Sequence, residues 1–159
     1  MDNETDRRQL FLYHANAKGN GCAMGVELRP TQKERRGCVV MTFANQICQD
    51  LMFPRFDWDG AVEVKLYLVD VARVLQVFRG ECESICDGKG IYIRSSASGY
   101  GVRYDVRHVI EPICGYVFEA YRVDASGEET SRRIALSSAE ALALCLALEN
   151  SMGILAFGK

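Results

Sequence analysis

The chain has 159 residues, 48% hydrophobic and 25% charged, which is enough apolar side chain for one well-packed domain without disulfide or metal staples. A net charge of −2 excludes a strongly basic nucleic-acid clamp but leaves room for a local basic face. The seven cysteines follow no scaffold spacing, the first nine residues are polar rather than leader-like, and no unbroken apolar run approaches ~18 residues. The expectation is a cytoplasmic protein with reduced thiols that does not span a membrane.

Residues 1–8 are charged and read as a loose arm, with a single domain over 9–159. The stretch 9–16, rich in Leu, Phe and Tyr, predicts a first strand, and the turn at Lys18, Gly19, Asn20 and Gly21 closes it, since Asn-Gly tolerates positive φ. Cys22, Met24, Val26 and Leu28 alternate with Ala23, Gly25, Glu27 and Arg29, the pattern of a half-buried strand that Pro30 stops. A basic loop leads to a third strand at 38–45. A longer loop ends in Phe53-Pro54-Arg55-Phe56-Asp57-Trp58-Asp59-Gly60. Val62, Val64, Leu66 and Leu68 then alternate with Glu63, Lys65 and Tyr67. Asp70 is placed to cap a helix whose stripe is Val71, Val74, Leu75 and Phe78, ended by Gly80.

The second half repeats this order. A turn at 87–90 precedes a short strand at 90–94, followed by a loop of small residues at 95–99. Longer strands follow at 101–110 and 115–123, divided by Pro112. A turn at 124–127 leads to a strand at 132–136 and then to the clearest helix in the chain. There Ser137 and Glu140 have the form of a capping box. Ala139, Leu142, Ala143 and Leu146 share one face of this helix, and Ala141, Leu144, Cys145 and Leu148 share the next. A helix apolar nearly all round is buried on more than one side. Packing on its own sheet accounts for one side, and a second subunit through Leu142, Leu144, Leu146 and Leu148 accounts for the other. The fold class is therefore α+β: two antiparallel four-stranded sheets, each followed by a helix, in halves at 9–80 and 90–152.

Catalytic and metal chemistry find little support. Cys82 and Cys86 form one close pair, with His108 and Cys114 later, where zinc sites commonly show two close pairs. Buried or idle thiols are the expectation, with no metal and no cofactor. The chain has neither a phosphate-cradling glycine motif nor a nucleophile elbow, so it is read as not an enzyme.

Phe56-Asp57-Trp58, then a strand, then 69–77 entering a helix, resembles the corresponding run of the Whirly proteins, plant single-stranded DNA-binding proteins. The C-terminal helix, with Gly153 and Phe157 close behind, sits where that family also ends. The resemblance extends over most of 10–158 and is that of a bacterial-type relative. It implies two four-stranded antiparallel sheets, each followed by a helix, and a dimer or tetramer. The wider group includes the coactivator positive cofactor four and kinetoplastid mitochondrial RNA-binding proteins, all of which bind single strands across exposed sheet faces. The Whirly motif Lys-Gly-Lys-Ala-Ala-Leu has only a loose echo here in Lys18-Gly19-Asn20-Gly21-Cys22-Ala23.

Single strands expose base faces and phosphates together, so a binder needs aromatics for stacking beside cations. The outward positions carry that mixture. Lys65 and Tyr67 share a face on the fourth strand, Tyr92 and Arg94 on the fifth, and Arg103 and Arg107 on the sixth. Lys18, Arg55, Phe56 and Trp58 lie in loops at strand ends. The expected partner is single-stranded DNA, or RNA, in transcription, replication or repair. The alternative is an interaction module that kept the fold without the binding face.

Overall fold

The computed structural model describes residues 9–94, 101–111 and 114–158. The arm at 1–8, the loop at 95–99 and the break at Pro112 lie outside the described residues. Strands β1 (Gln9–His14), β2 (Cys22–Arg29), β3 (Cys38–Asn45) and β4 (Val62–Leu66) form one antiparallel sheet in the order β1-β2-β3-β4. Helix α1 (Leu68–Phe78) follows. Strands β5 (Ile91–Arg94), β6 (Gly101–Val109), β7 (Gly115–Val123) and β8 (Glu129–Ser137) form a second sheet in the order β5-β6-β7-β8, and helix α2 (Ser138–Phe157) follows it. The expected fold class is the one observed.

Alternation decides which side of each sheet is inside. In the first sheet Val26, Met41 and Val64 occupy one row of the ladder and Met24, Phe43 and Val62 another, all buried. In the second, Val106, Phe118 and Ile134 form a buried row. These inner faces meet, with β8 packing on β2, β3 and β4, and the helices close the remaining sides. An aromatic series crosses the core: Phe43 lies 6.3 Å from Tyr104, Tyr104 lies 6.4 Å from Phe118, and Phe78 lies 5.9 Å from Phe118 and 4.9 Å from Tyr116. Tyr104 is wholly buried with its hydroxyl 3.1 Å from the Met41 sulfur, and burial holds that phenol well above its ordinary pKa.

Some boundaries differ from the sequence reading for local reasons. Helix α1 starts before Asp70, because that carboxylate acts from the first turn, accepting the Tyr67 N–H at 3.1 Å. Strand β8 starts at Glu129 rather than 132, since it pairs with β7 along its whole length despite a polar opening. Helix α2 runs through Gly153 and ends only at Gly158, whose φ of +79° is the left-handed cap that stops a helix. At its other end the capping box forms: Ser137 Oγ accepts from Glu140 N at 3.3 Å, and Glu140 Oε1 accepts from Ser137 N at 3.1 Å.

Helix α2 is long and apolar enough, by length and composition, to cross a membrane. Strict apolar runs overlook it because Glu149, Asn150 and Ser151 interrupt them. Its inward face nonetheless belongs to the fold, with Ala141, Leu144, Cys145, Leu148 and Leu155 buried. The proposed subunit interface also divides. Leu144 and Leu148 are core residues of the chain itself, whereas Leu142 and Leu146 are more than half exposed. The two faces read from the sequence are real, but only one of them faces outward.

Candidate nucleic-acid interface

The outer face of the first sheet is built from rings. Leu10 and Leu12 of β1 pack against the core, so Phe11 and Tyr13 must project the other way. Their rings stack at 6.0 Å, nearly parallel. Trp58 meets Phe11 edge-on at 5.7 Å, and Phe56 lies 5.7 Å from Tyr13. Phe11, Tyr13 and Trp58 are 44%, 57% and 38% exposed, so this is a ledge open to solvent rather than a second core. Across the ladder from Tyr13 is Ala23, and from Phe11 Gly25, both buried and both too small to lift the rings.

Trp58 reaches this ledge because its loop is fastened. Ile47 N–H bonds Arg55 O and Asp57 N–H bonds Asn45 O, zipping the loop base. Asp57 Oδ1 accepts Gly60 N–H at 3.0 Å. From the second sheet, Arg132 donates to Gly60 O at 3.1 Å and Arg122 to Ala61 O at 3.4 Å. Two guanidiniums of one sheet therefore hold the turn that places a ring on the other.

The outer face of the second sheet is tyrosine and arginine. Tyr92, Arg103, Tyr121 and Ser131 form one row. Tyr92 is 64% exposed and lies over Gly101, where an added Cβ would come within 2.8 Å of its ring. Arg103 sits over the Tyr121 ring at 4.7 Å, a cation–π contact. The next row is Asp105, Glu119 and Arg133, and the next contains Arg107. Burial pushes the Glu119 carboxyl up, but hydrogen bonds from Arg107 and Tyr121 and the charges of Arg107 and Arg133 outweigh it and leave it below its ordinary value.

Most sequence-derived candidates lie on these two faces. Trp58 and Lys65 lie on the first, with Lys65 exposed in β4. Tyr92, Arg94, Arg103 and Arg107 lie on the second. Arg55 and Lys18 are exposed in the loops beside the first sheet. Tyr67 is the exception: it follows β4 as the residue preceding α1, and Arg36 covers its ring at 4.9 Å. The sequence reading missed Phe11, Tyr13, Tyr121 and Arg133. In β1 both alternating sets are apolar, so alternation alone does not say which set faces out. Among the described residues, no three His, Cys, Asp or Glu side chains lie close enough together to hold a metal ion.

No family model and no curated protein matches the sequence. Solved structures do. WHY3 from Arabidopsis thaliana superposes with a TM-score of 0.70, covering 93% of this chain and 90% of that one at 16% identity. The plant transcriptional regulator PBF-2 superposes at 0.64, covering 93% and 89% at 15% identity. The chain has the Whirly fold. A guide-RNA-binding protein complex bound to a guide RNA matches as well, at 0.69, covering 98% and 97% at 17% identity. At these identities the likeness is one of architecture: the Whirly arrangement of two meander sheets, each followed by a helix, is here with its own set of surface residues.

Proposed function

We propose that the protein is a non-enzymatic single-stranded nucleic-acid-binding protein, with DNA as the preferred polymer, acting in transcription, replication or repair. The observation that carries this is the ledge of Phe11, Tyr13, Phe56 and Trp58 on an open sheet face. Rings packed on one another, on a face that no described element covers, have an evident use where unpaired bases can lie on them, at ~1–3 kcal/mol per base. The Tyr92, Arg103 and Tyr121 row offers a second platform with cations for phosphate. The likeness to PBF-2 and to a guide-RNA-binding complex supports the nucleic-acid reading without deciding the polymer. The exposed side of α2, with Leu142 and Leu146, supports assembly into a dimer or tetramer.

The test is fluorescence anisotropy with a labelled oligonucleotide of about 30 bases, single-stranded and annealed, at two salt concentrations. Tighter binding to the single strand, weakening with salt, is expected. No binding at low salt would remove the nucleic-acid reading and favour an interaction module built on α2.

A further inference from the structure

Arg103, Arg107 and Arg133 stand on the outer face of the second sheet, and two of them are already engaged by that sheet's own carboxylates. Glu119, in the middle of β7 and only 8% exposed, accepts from Arg107 Nη2 at 2.8 Å and lies 3.6 Å from Arg133 Nε. Its other oxygen accepts the Tyr121 hydroxyl. Asp105, directly opposite Glu119 in the ladder and 6% exposed, sets Oδ2 3.6 Å from Arg107 Nη1. Its Oδ1 is buried without a partner. A buried carboxylate oxygen without a partner, as on Asp105, is unfavourable, and a neutral residue there would build this sheet more easily. On a face that a polyanion approaches, two anions also oppose binding.

We propose that Glu119 and Asp105 limit affinity: they hold Arg107 and Arg133 against the sheet and offset their charge, so that a bound strand is released readily. This rests on the reading of the sheet faces as a nucleic-acid surface. A phosphate reaching Arg107 must compete with Glu119 for the same guanidinium, and near neutral pH Glu119 is ionised. Arg103 is engaged by a ring rather than an anion, so its charge stays available. The second sheet therefore contributes less salt dependence than its arginines imply.

The test uses the full chain, a labelled 30-base oligothymidylate and a salt series, with thermal melts to verify folding. Glu119→Gln should bind about tenfold tighter, and its log–log salt slope should steepen by about 0.7 for each arginine released. Adding Arg107→Gln to Glu119→Gln should abolish most of that gain. Asp105→Asn should give a smaller gain of the same kind, and it decides the matter if Glu119→Gln does not fold. Folded variants that bind no tighter than the wild type, with unchanged slope, would overturn the proposal while leaving the nucleic-acid reading intact. A wild type that fails to bind at low salt would remove the reading of the face and the proposal together.

Discussion

Phe11 lies across Gly25, its partner in the β1–β2 ladder: a Cβ added to Gly25 would come within 3.1 Å of Phe11 Cε1 and 3.7 Å of Trp58 Cζ3. The two rings rest on a strand with no side chain at the point of contact. Gly25→Val should tilt both rings off the sheet, and Phe11→Ala should remove one. Each change is expected to weaken single-strand binding by about 5- to 30-fold, a loss of ~1–2 kcal/mol of stacking. The salt slope should stay unchanged, because no phosphate contact is lost. Anisotropy titrations at several salt concentrations measure both quantities.

The link between Arg132 and Gly60 predicts a stability effect with an optical signature. Arg132→Met removes the bond to the Gly60 carbonyl, leaving that acceptor without this donor, at a loss of about 1–3 kcal/mol. The turn carrying Trp58 should loosen, and the emission of the chain's single tryptophan should shift to the red. Urea denaturation followed by fluorescence reads both.

The two sides of α2 should respond oppositely to substitution. Leu144, 1% exposed, is core, so Leu144→Ala should cost about 2–5 kcal/mol and Leu144→Glu should prevent folding. Leu142, 60% exposed, should tolerate Glu in a folded chain while the assembled mass falls. Circular dichroism with light scattering separates the outcomes.

Glu140 ties β1 to α2, since its Oε2 lies 2.6 Å from His14 Nε2 while its Oε1 completes the capping box. Burial pushes the Glu140 carboxyl up, but hydrogen bonds from His14 and Ser137 outweigh it and hold the carboxyl below its ordinary value. A depressed folded-state value stabilises above the unfolded value, and that stability is lost as pH falls through the ordinary carboxylate range and below it. Glu140→Gln should therefore be less stable at neutral pH, and its melting temperature should fall less on acidification. Melts from neutral to acid pH compare the two proteins. An equal acid slope in both would show that other carboxylates dominate.

The fold was legible because strands β2 and β4 alternate in sequence and because Ser137 with Glu140 announces α2. What escaped the sequence were relations set by neighbours in space. Nothing in 9–16 says that Leu10 faces in and Phe11 out, since both are apolar and only the second sheet decides which side is covered. Arg107 was legible as an outward cation, but its engagement by Glu119 depends on the β6–β7 register, which no local pattern encodes. Leu144 and Leu148 were grouped with Leu142 and Leu146 because composition alone cannot say which of two apolar faces the chain uses for itself.

Trp58 offers the most direct test of the stacking surface, because the chain's single tryptophan stands on the ledge. Titration with an unlabelled single-stranded oligonucleotide of about 30 bases should quench its emission in a saturable way. The annealed duplex should quench far less at the same concentration, since its bases are already stacked on one another. Equal quenching by both polymers, or binding by anisotropy with no change in Trp58 emission, would contradict the assignment of bases to this ledge.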